Sequence, residues 1–253
     1  MGDPSPSPSP ARGGEPETGE SDKREYAVRI VFLGDSLTEG VTGASYLRVL
    51  KRLVADDPQL QGRDIEVINA GQGGDTVFHV ARRVGRDVVP HAPDWVVVFV
   101  GVNDCRTWYA HSTLPPTPAT IGSAYYFLRR KGVWRAVTPR RYGAALRRLV
   151  DDLRARTPAR IALCTPATAS ESHDARAERM LDAYVEAVRD VARERACSLI
   201  DARAAFLAVR KSADFSSRPT DHTDYHLTCD GVHLSEAGAA LVADRFHDWL
   251  LTV

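Results

Sequence analysis

The 253-residue chain lacks an excess of either charge: 33 Lys and Arg stand against 33 Asp and Glu. A protein that wraps DNA or RNA carries a basic excess, and an acidic disordered regulator an acidic one, so both classes are disfavoured. Long apolar runs are missing too. The longest, Trp95–Val100, is strand-sized and far below the ~20 residues that a membrane-spanning helix needs. Cysteine is scarce: the four residues Cys105, Cys164, Cys197 and Cys229 form no CxxC pair, against a zinc ribbon or a thioredoxin motif. Four reduced thiols are expected, with a Cys105–Cys229 bridge as the alternative. What is present is ordinary for a globular protein, 43% hydrophobic and 26% charged. The length allows a large buried core.

Residues 1–25 repeat Pro-Ser and then turn Gly/Glu-rich, with no aliphatic side chain larger than Ala except Met1. Such a tail buries too little apolar surface to offset its ordering entropy and is expected to be disordered. It has no apolar stretch of the secretory kind. A cytoplasmic location is expected, or a secreted one if a leader is removed. The domain proper is expected over residues 26–253.

Charge neutrality hides one asymmetry. Residues 105–150 hold nine Lys and Arg and no Asp or Glu, a net of +9. The rest of the chain, with 24 bases and 33 acids, offsets it at −9.

Short apolar runs alternate with amphipathic ones. Strands are predicted at Val28–Leu33, Ile65–Ile68, Trp95–Val100, Ile161–Cys164 and Leu199–Ile200. Helices are predicted at Ala44–Val54, Thr76–Val88, Tyr142–Arg156, Ala175–Arg195 and Glu236–Leu251, the last opened by Ser235 as N-cap. Strands apolar on both faces, alternating with helices, imply a parallel sheet covered on both sides. The fold class is therefore α/β, a flavodoxin-like three-layer arrangement with five parallel strands. Its ligand is expected at the carboxyl ends of the strands.

Four motifs fall at those ends or in the last loop. Gly34-Asp35-Ser36-Leu37-Thr38-Glu39-Gly40 presents a serine one step past the first strand. Asn69-Ala70-Gly71-Gln72-Gly73-Gly74-Asp75-Thr76 exposes backbone N–H groups, as an oxyanion hole or a phosphate cradle needs. Gly101-Val102-Asn103-Asp104 offers a side-chain amide donor. Asp230-Gly231-Val232-His233 places a carboxylate where it can fold back onto an imidazole and fix its tautomer. Each alone reads as a loop feature: an N-cap serine, a flexible glycine loop, an Asx-turn, a solvated pair. Together they supply every part that acyl transfer through a serine ester requires.

On these blocks, in this order, the sequence resembles the SGNH branch of the GDSL esterases and lipases over residues 28–251. The resemblance implies Ser36 as nucleophile, His233 as general base and Asp230 as the residue that orients it. It implies an oxyanion hole from the N–H groups of Ser36 and Gly74 and the side chain of Asn103. It implies no metal and no organic cofactor. The expected activity is hydrolysis of carboxylic esters through an acyl-serine. Two alternatives stay open: an acyltransferase that hands the acyl group to a sugar or metabolite hydroxyl, and a non-catalytic carbohydrate- or lipid-binding protein on the same fold.

Residues 105–141 form an insertion far longer than an ordinary βα connection. It is rich in aromatics and Arg and begins beside Asn103. Arg106, Trp108 and Tyr109 are candidate substrate-binding residues, and Ile121–Arg130 a candidate short helix. The competing readings are a lid, a solvated loop and a surface for an anionic partner. A small-molecule ester or thioester, anionic if the lid reading holds, is the expected substrate. Nucleic acid is not expected and membrane contact is not favoured. His222 and His226 are weighed as metal ligands, with a plain polar loop as the simpler account.

Overall fold

The computed structural model describes residues 28–113, 137–169, 171, 175–211 and 226–253. Five strands form one sheet: β1 (Val28–Gly34), β2 (Ile65–Gly71), β3 (Trp95–Phe99), β4 (Arg160–Cys164) and β5 (Ser198–Ile200). All pairings are parallel and the order is β2-β1-β3-β4-β5. This is the flavodoxin-like order, with its switch point between β1 and β3.

Helices cover both faces: α1 (Ser36–Glu39), α2 (Tyr46–Asp56), α3 (Val77–Asp87), α4 (Val102–Thr113), α5 (Pro139–Arg156), α6 (Ala175–Glu194), α7 (Ala202–Arg210) and α8 (Glu236–Leu250). The period-2 alternation of the strands divides the core in two. Val31, Leu33, Val96 and Val98 face α3, α5 and α6, and pack on Val80, Val84, Leu146, Leu149, Leu181 and Tyr184. Ile30, Phe32, Val97 and Phe99 face α2, α7 and α8, and pack on Tyr46, Leu50, Phe206 and Phe246. Phe32, Tyr46, Phe99 and Phe246 touch one another edge-on or stacked. These apolar layers hold β1 and β3 rigid, and so fix where the loops that follow them start.

Three helices go beyond the sequence reading. α1 is four residues long and no periodicity can show so short an element. α7 is Ala-rich and is N-capped by Asp201, whose carboxylate accepts the Ala204 N–H at 3.0 Å; its propensity was legible. α4 is a correction to the expected insertion, because residues 105–113 are helical rather than loop. Its sequence is poor in strong helix formers, and contact with α6 supports it. At the other end of the insertion, α5 begins at Pro139, three residues before the predicted start; Pro at N1 and a Thr138 cap explain the extension. The candidate helix Ile121–Arg130 lies outside the described residues.

All four cysteines are free, with Cys105 buried and Cys229 exposed. The Cys105–Cys229 bridge weighed from the sequence is therefore not formed. No described helix is long and apolar enough to cross a membrane.

Candidate active site

The serine at the end of β1 sits in a turn fixed by a side-chain cap and one close backbone contact. Asp35 caps α1 by accepting the Leu37 N–H at 3.0 Å, and Gly40 closes it with φ 69°. β2 meets this turn through Gly71. A Cβ there would strike the backbone N of Glu39, so only glycine admits the α1 backbone so near. The result presents Ser36 at the carboxyl edge of the sheet.

His233 arrives from the other end of the chain. Its Nε2 lies 3.0 Å from Ser36 Oγ, and its Nδ1 lies 2.6 Å from Asp230 Oδ2. A carboxylate only accepts, so Nδ1 carries the proton and Nε2 turns its lone pair to the serine hydroxyl. Asp230 Oδ1 also accepts the N–H groups of Val232 (3.0 Å) and His233 (2.8 Å). Burial pushes the Asp230 carboxyl up, but the hydrogen bonds from the His233 ring, the His233 N–H and the Val232 N–H outweigh it and hold the group below its ordinary value.

The glycine loop after β2 lies beside the serine. A Cβ on Gly73 would sit 4.0 Å from Ser36 Cβ and 2.8 Å from Glu39 Oε2. Gly74 takes φ 76°, a left-handed conformation that suits glycine. Asn103, in the first turn of α4, donates through Nδ2 to the Asp75 carbonyl at 3.0 Å. That bond uses one amide hydrogen and ties Asn103 to the glycine loop.

Behind Ser36 lies a buried arginine that the sequence reading missed. Arg83 donates to the Ala70 carbonyl (2.7 Å) and the Gly34 carbonyl (2.6 Å), so it joins the ends of β2 and β1. It also pairs with Asp75 and with Asp87. The legible signal was an arginine on the inward face of α3, among Val77, Val80 and Val84. Asp35 and Asp104 are buried nearby, and Asp104 accepts the Val77 N–H. Burial pushes both carboxyls up, Asp35 to about 7 and Asp104 to about 8.

Of the candidate substrate-binding residues, Trp108 is partly buried and packs against the core, and Arg106 is exposed. The Tyr109 side chain lies outside the described residues, as does His222, so the weighed histidine pair cannot be placed. The His226 N–H is bonded to Glu171. Among the described residues no group of three His, Cys, Asp or Glu side chains is arranged to hold a metal ion.

A doubly wound sheet with a hydroxyl, an imidazole and a carboxylate in hydrogen-bonded series at its carboxyl edge defines a class, the SGNH-fold α/β hydrolases. Residues 32–241 match the GDSL-like Lipase/Acylhydrolase family; the chain belongs to that family and is a carboxylic ester hydrolase. An acetylxylan esterase of Geobacillus stearothermophilus is 29% identical over 231 residues, covering 86% of this chain and 91% of its own. The solved structure of Axe2, an acetylxylan esterase from that organism, matches with a TM-score of 0.65 at 25% identity, over 86% of this chain and 91% of its own. Structures of Axe2 described as catalytic mutants replace a serine, an aspartate and a histidine, the last two three residues apart. The acetyl xylan esterase AlAXEase matches with a TM-score of 0.68 at 25% identity, over 89% of this chain and all of its own.

Proposed function

We propose that the enzyme removes short acyl groups, acetyl first, from carbohydrate hydroxyls through an acyl-serine on Ser36. The observation that carries this reading is the series Asp230–His233–Ser36 at the strand ends. It has the Asp-x-x-His spacing of the residues replaced in the Axe2 catalytic mutants. The likeness to acetylxylan esterases along nearly their whole length supports the substrate class.

In this reading Ser36 Oγ attacks the ester carbonyl while its proton passes to His233 Nε2. Asp230 keeps the imidazole in the receptive tautomer and stabilises the imidazolium. The N–H groups of Ser36 and Gly74 and the Asn103 amide receive the oxyanion. The imidazolium then protonates the departing sugar oxygen and the acyl-serine remains. Water repeats the sequence, releases the acid and restores the serine. Glu39, half-buried one turn after Ser36, sets a hydrogen-bond acceptor beside the glycine loop, where a sugar hydroxyl can use it. The nine bases and no acid of residues 105–150 support a preference for substrates that carry an anionic group away from the scissile bond.

The test measures acetate released from acetylated xylo-oligosaccharides, beside chromogenic esters of rising acyl length, for wild type and Ser36→Ala. Acetate release and a preference for the shortest acyl chain are expected, both absent in Ser36→Ala. A preference for long acyl chains with no acetate release would overturn the substrate class. Acyl transfer that outpaces hydrolysis when a polyol is added would make the enzyme an acyltransferase. Equal kcat/KM for neutral and anionic esters of one size, unmoved by salt, would remove the anionic preference.

A further inference from the structure

The geometry points to Glu171 as the positioning residue that fixes the loop of Asp230 and His233 relative to the sheet; this rests on the catalytic reading above. Glu171 follows β4 and is 3% exposed. Its Oε1 accepts the N–H groups of His226 (2.9 Å) and Leu227 (2.8 Å). Its Oε2 accepts the Thr228 hydroxyl at 2.5 Å. Its own N–H donates to the Gly231 carbonyl at 2.9 Å. Thr228 Oγ1 in turn accepts the Gly231 N–H at 3.1 Å. One buried residue thus grips the loop at its start, residues 226–228, and again at Gly231, between Asp230 and His233.

Three further bonds give the loop a shape rather than a place. The Cys229 N–H donates to the His233 carbonyl (2.8 Å), and the Ser235 N–H to the Leu227 carbonyl (3.0 Å). The Ser235 hydroxyl donates to the His226 carbonyl at 2.6 Å. All are internal to residues 226–235. On the opposite flank the Ala44 N–H donates to the Leu234 carbonyl at 2.8 Å. Glu171 and Ala44 therefore tie the loop to the rest of the domain, beside the core packing of Leu227, Val232 and Leu234, and the Glu171 bond to Gly231 falls next to Asp230.

The chemistry requires an acceptor. Three donors converge on one carboxylate, which only accepts. Among the described residues Glu171 makes no ion pair, so its bonds run to the loop alone. Removing the carboxylate strands the N–H of buried Leu227 and frees the segment that sets the distance from His233 to Ser36. Displacements of about 1 Å at a reacting group cost about 10²-fold in rate.

Glu171→Ala, Glu171→Gln and Thr228→Val are compared with wild type and Ser36→Ala. The readouts are kcat and KM on a chromogenic acetate ester, labelling rate by a fluorophosphonate probe, and thermal stability. Gln keeps an oxygen for the two N–H groups and offers an amide N–H to Thr228 Oγ1, which can accept it. For Glu171→Ala, kcat and labelling should fall about 10–100-fold with KM within about twofold, because positioning acts on the transition state. Gln should restore most of the loss, and Thr228→Val, which removes one of the three bonds to the carboxylate together with the Thr228–Gly231 bond, should lie between. Wild-type kcat and labelling in Glu171→Ala overturn the proposal, as does a loss that Gln fails to reduce. If Glu171→Ala does not fold, Glu171→Gln and Thr228→Val decide: Thr228→Val at wild-type rates, or Gln slower than Thr228→Val, overturns it. Labelling of the wild type that Ser36→Ala abolishes, with Glu171 variants at full rate, sinks the positioning role alone. No labelling of the wild type sinks it together with the catalytic reading.

Discussion

Arg83 Nε and Asp75 Oδ2 lie 2.7 Å apart, with side chains only 7% and 2% exposed. The pair sits directly behind the Ser36 turn, and its two residues have different tasks. Arg83 holds the strand-end carbonyls of Gly34 and Ala70. Asp75 holds Arg83 through its side chain and the Asn103 amide through its main-chain carbonyl. The serine turn, the glycine loop and the amide donor are thus joined through one buried ion pair.

Removing Arg83 breaks a buried ion pair and takes its donors from the Gly34 and Ala70 carbonyls. Arg83→Ala should destabilise the fold by about 3–5 kcal/mol, the usual cost of removing one member of a buried pair. Arg83→Lys should recover little, since an ammonium cannot replace the planar fork that reaches both carbonyls and both carboxylates. Urea unfolding of the two variants checks this; a loss below about 1 kcal/mol, the size of a surface pair, would show that the cluster relaxes around the gap.

In the proposed oxyanion role, Asn103→Ala should lower kcat about 10²–10³-fold with little change in KM, since such a donor acts on the transition state more than on bound substrate. The variant also loses the bond to the Asp75 carbonyl, so a thermal melt should accompany the kinetics. A rise in KM at constant kcat would instead assign Asn103 to substrate binding.

The buried carboxylates give stability a pH slope. Burial raises Asp35 to about 7 and Asp104 to about 8, against an ordinary 3.8. Between about pH 4 and 8 the unfolded chain has these groups ionised while the folded chain keeps their protons. Unfolding then releases protons, and stability present at acid pH is lost as pH rises through the folded values. Asp87 works in the other direction: the Arg86 hydrogen bond, with help from Arg83, holds it at about 2. Its contribution is present above the ordinary carboxylate value and lost as pH falls toward 2. The melting temperature should fall from pH 5 to 8, and Asp104→Asn, which keeps an acceptor for the Val77 N–H, should flatten the fall. An unchanged slope in Asp104→Asn would remove Asp104 from the account.

The basic run shows how far a one-dimensional count reaches. Residues 105–150 contain no acid, yet Arg147 pairs with Glu194 on α6 through two bonds of 2.6 and 2.8 Å. Arg141 lies over the Phe78 ring. Partners 47 and 63 residues away neutralise or shelter charges that look unopposed along the chain.

The sequence alone determined the layers and the places of the chemistry. Strands apolar on both faces, bounded by Gly and Pro and alternating with amphipathic runs, and four motifs in order suffice for a doubly wound sheet with its site at the strand ends, because these signals are local. Tertiary structure decided what depends on distant atoms meeting. Ser36 and His233 are 197 positions apart, and only the sheet order and the loop's anchorage bring Oγ and Nε2 to 3.0 Å. Glu171 looks like an ordinary charged residue in the chain, and Arg83 stands out only as an arginine on an apolar helix face. Both are buried in bonds to distant backbone, because a buried carboxylate needs donors and a buried guanidinium needs acceptors, and no reading of neighbours along the sequence says which backbone will supply them.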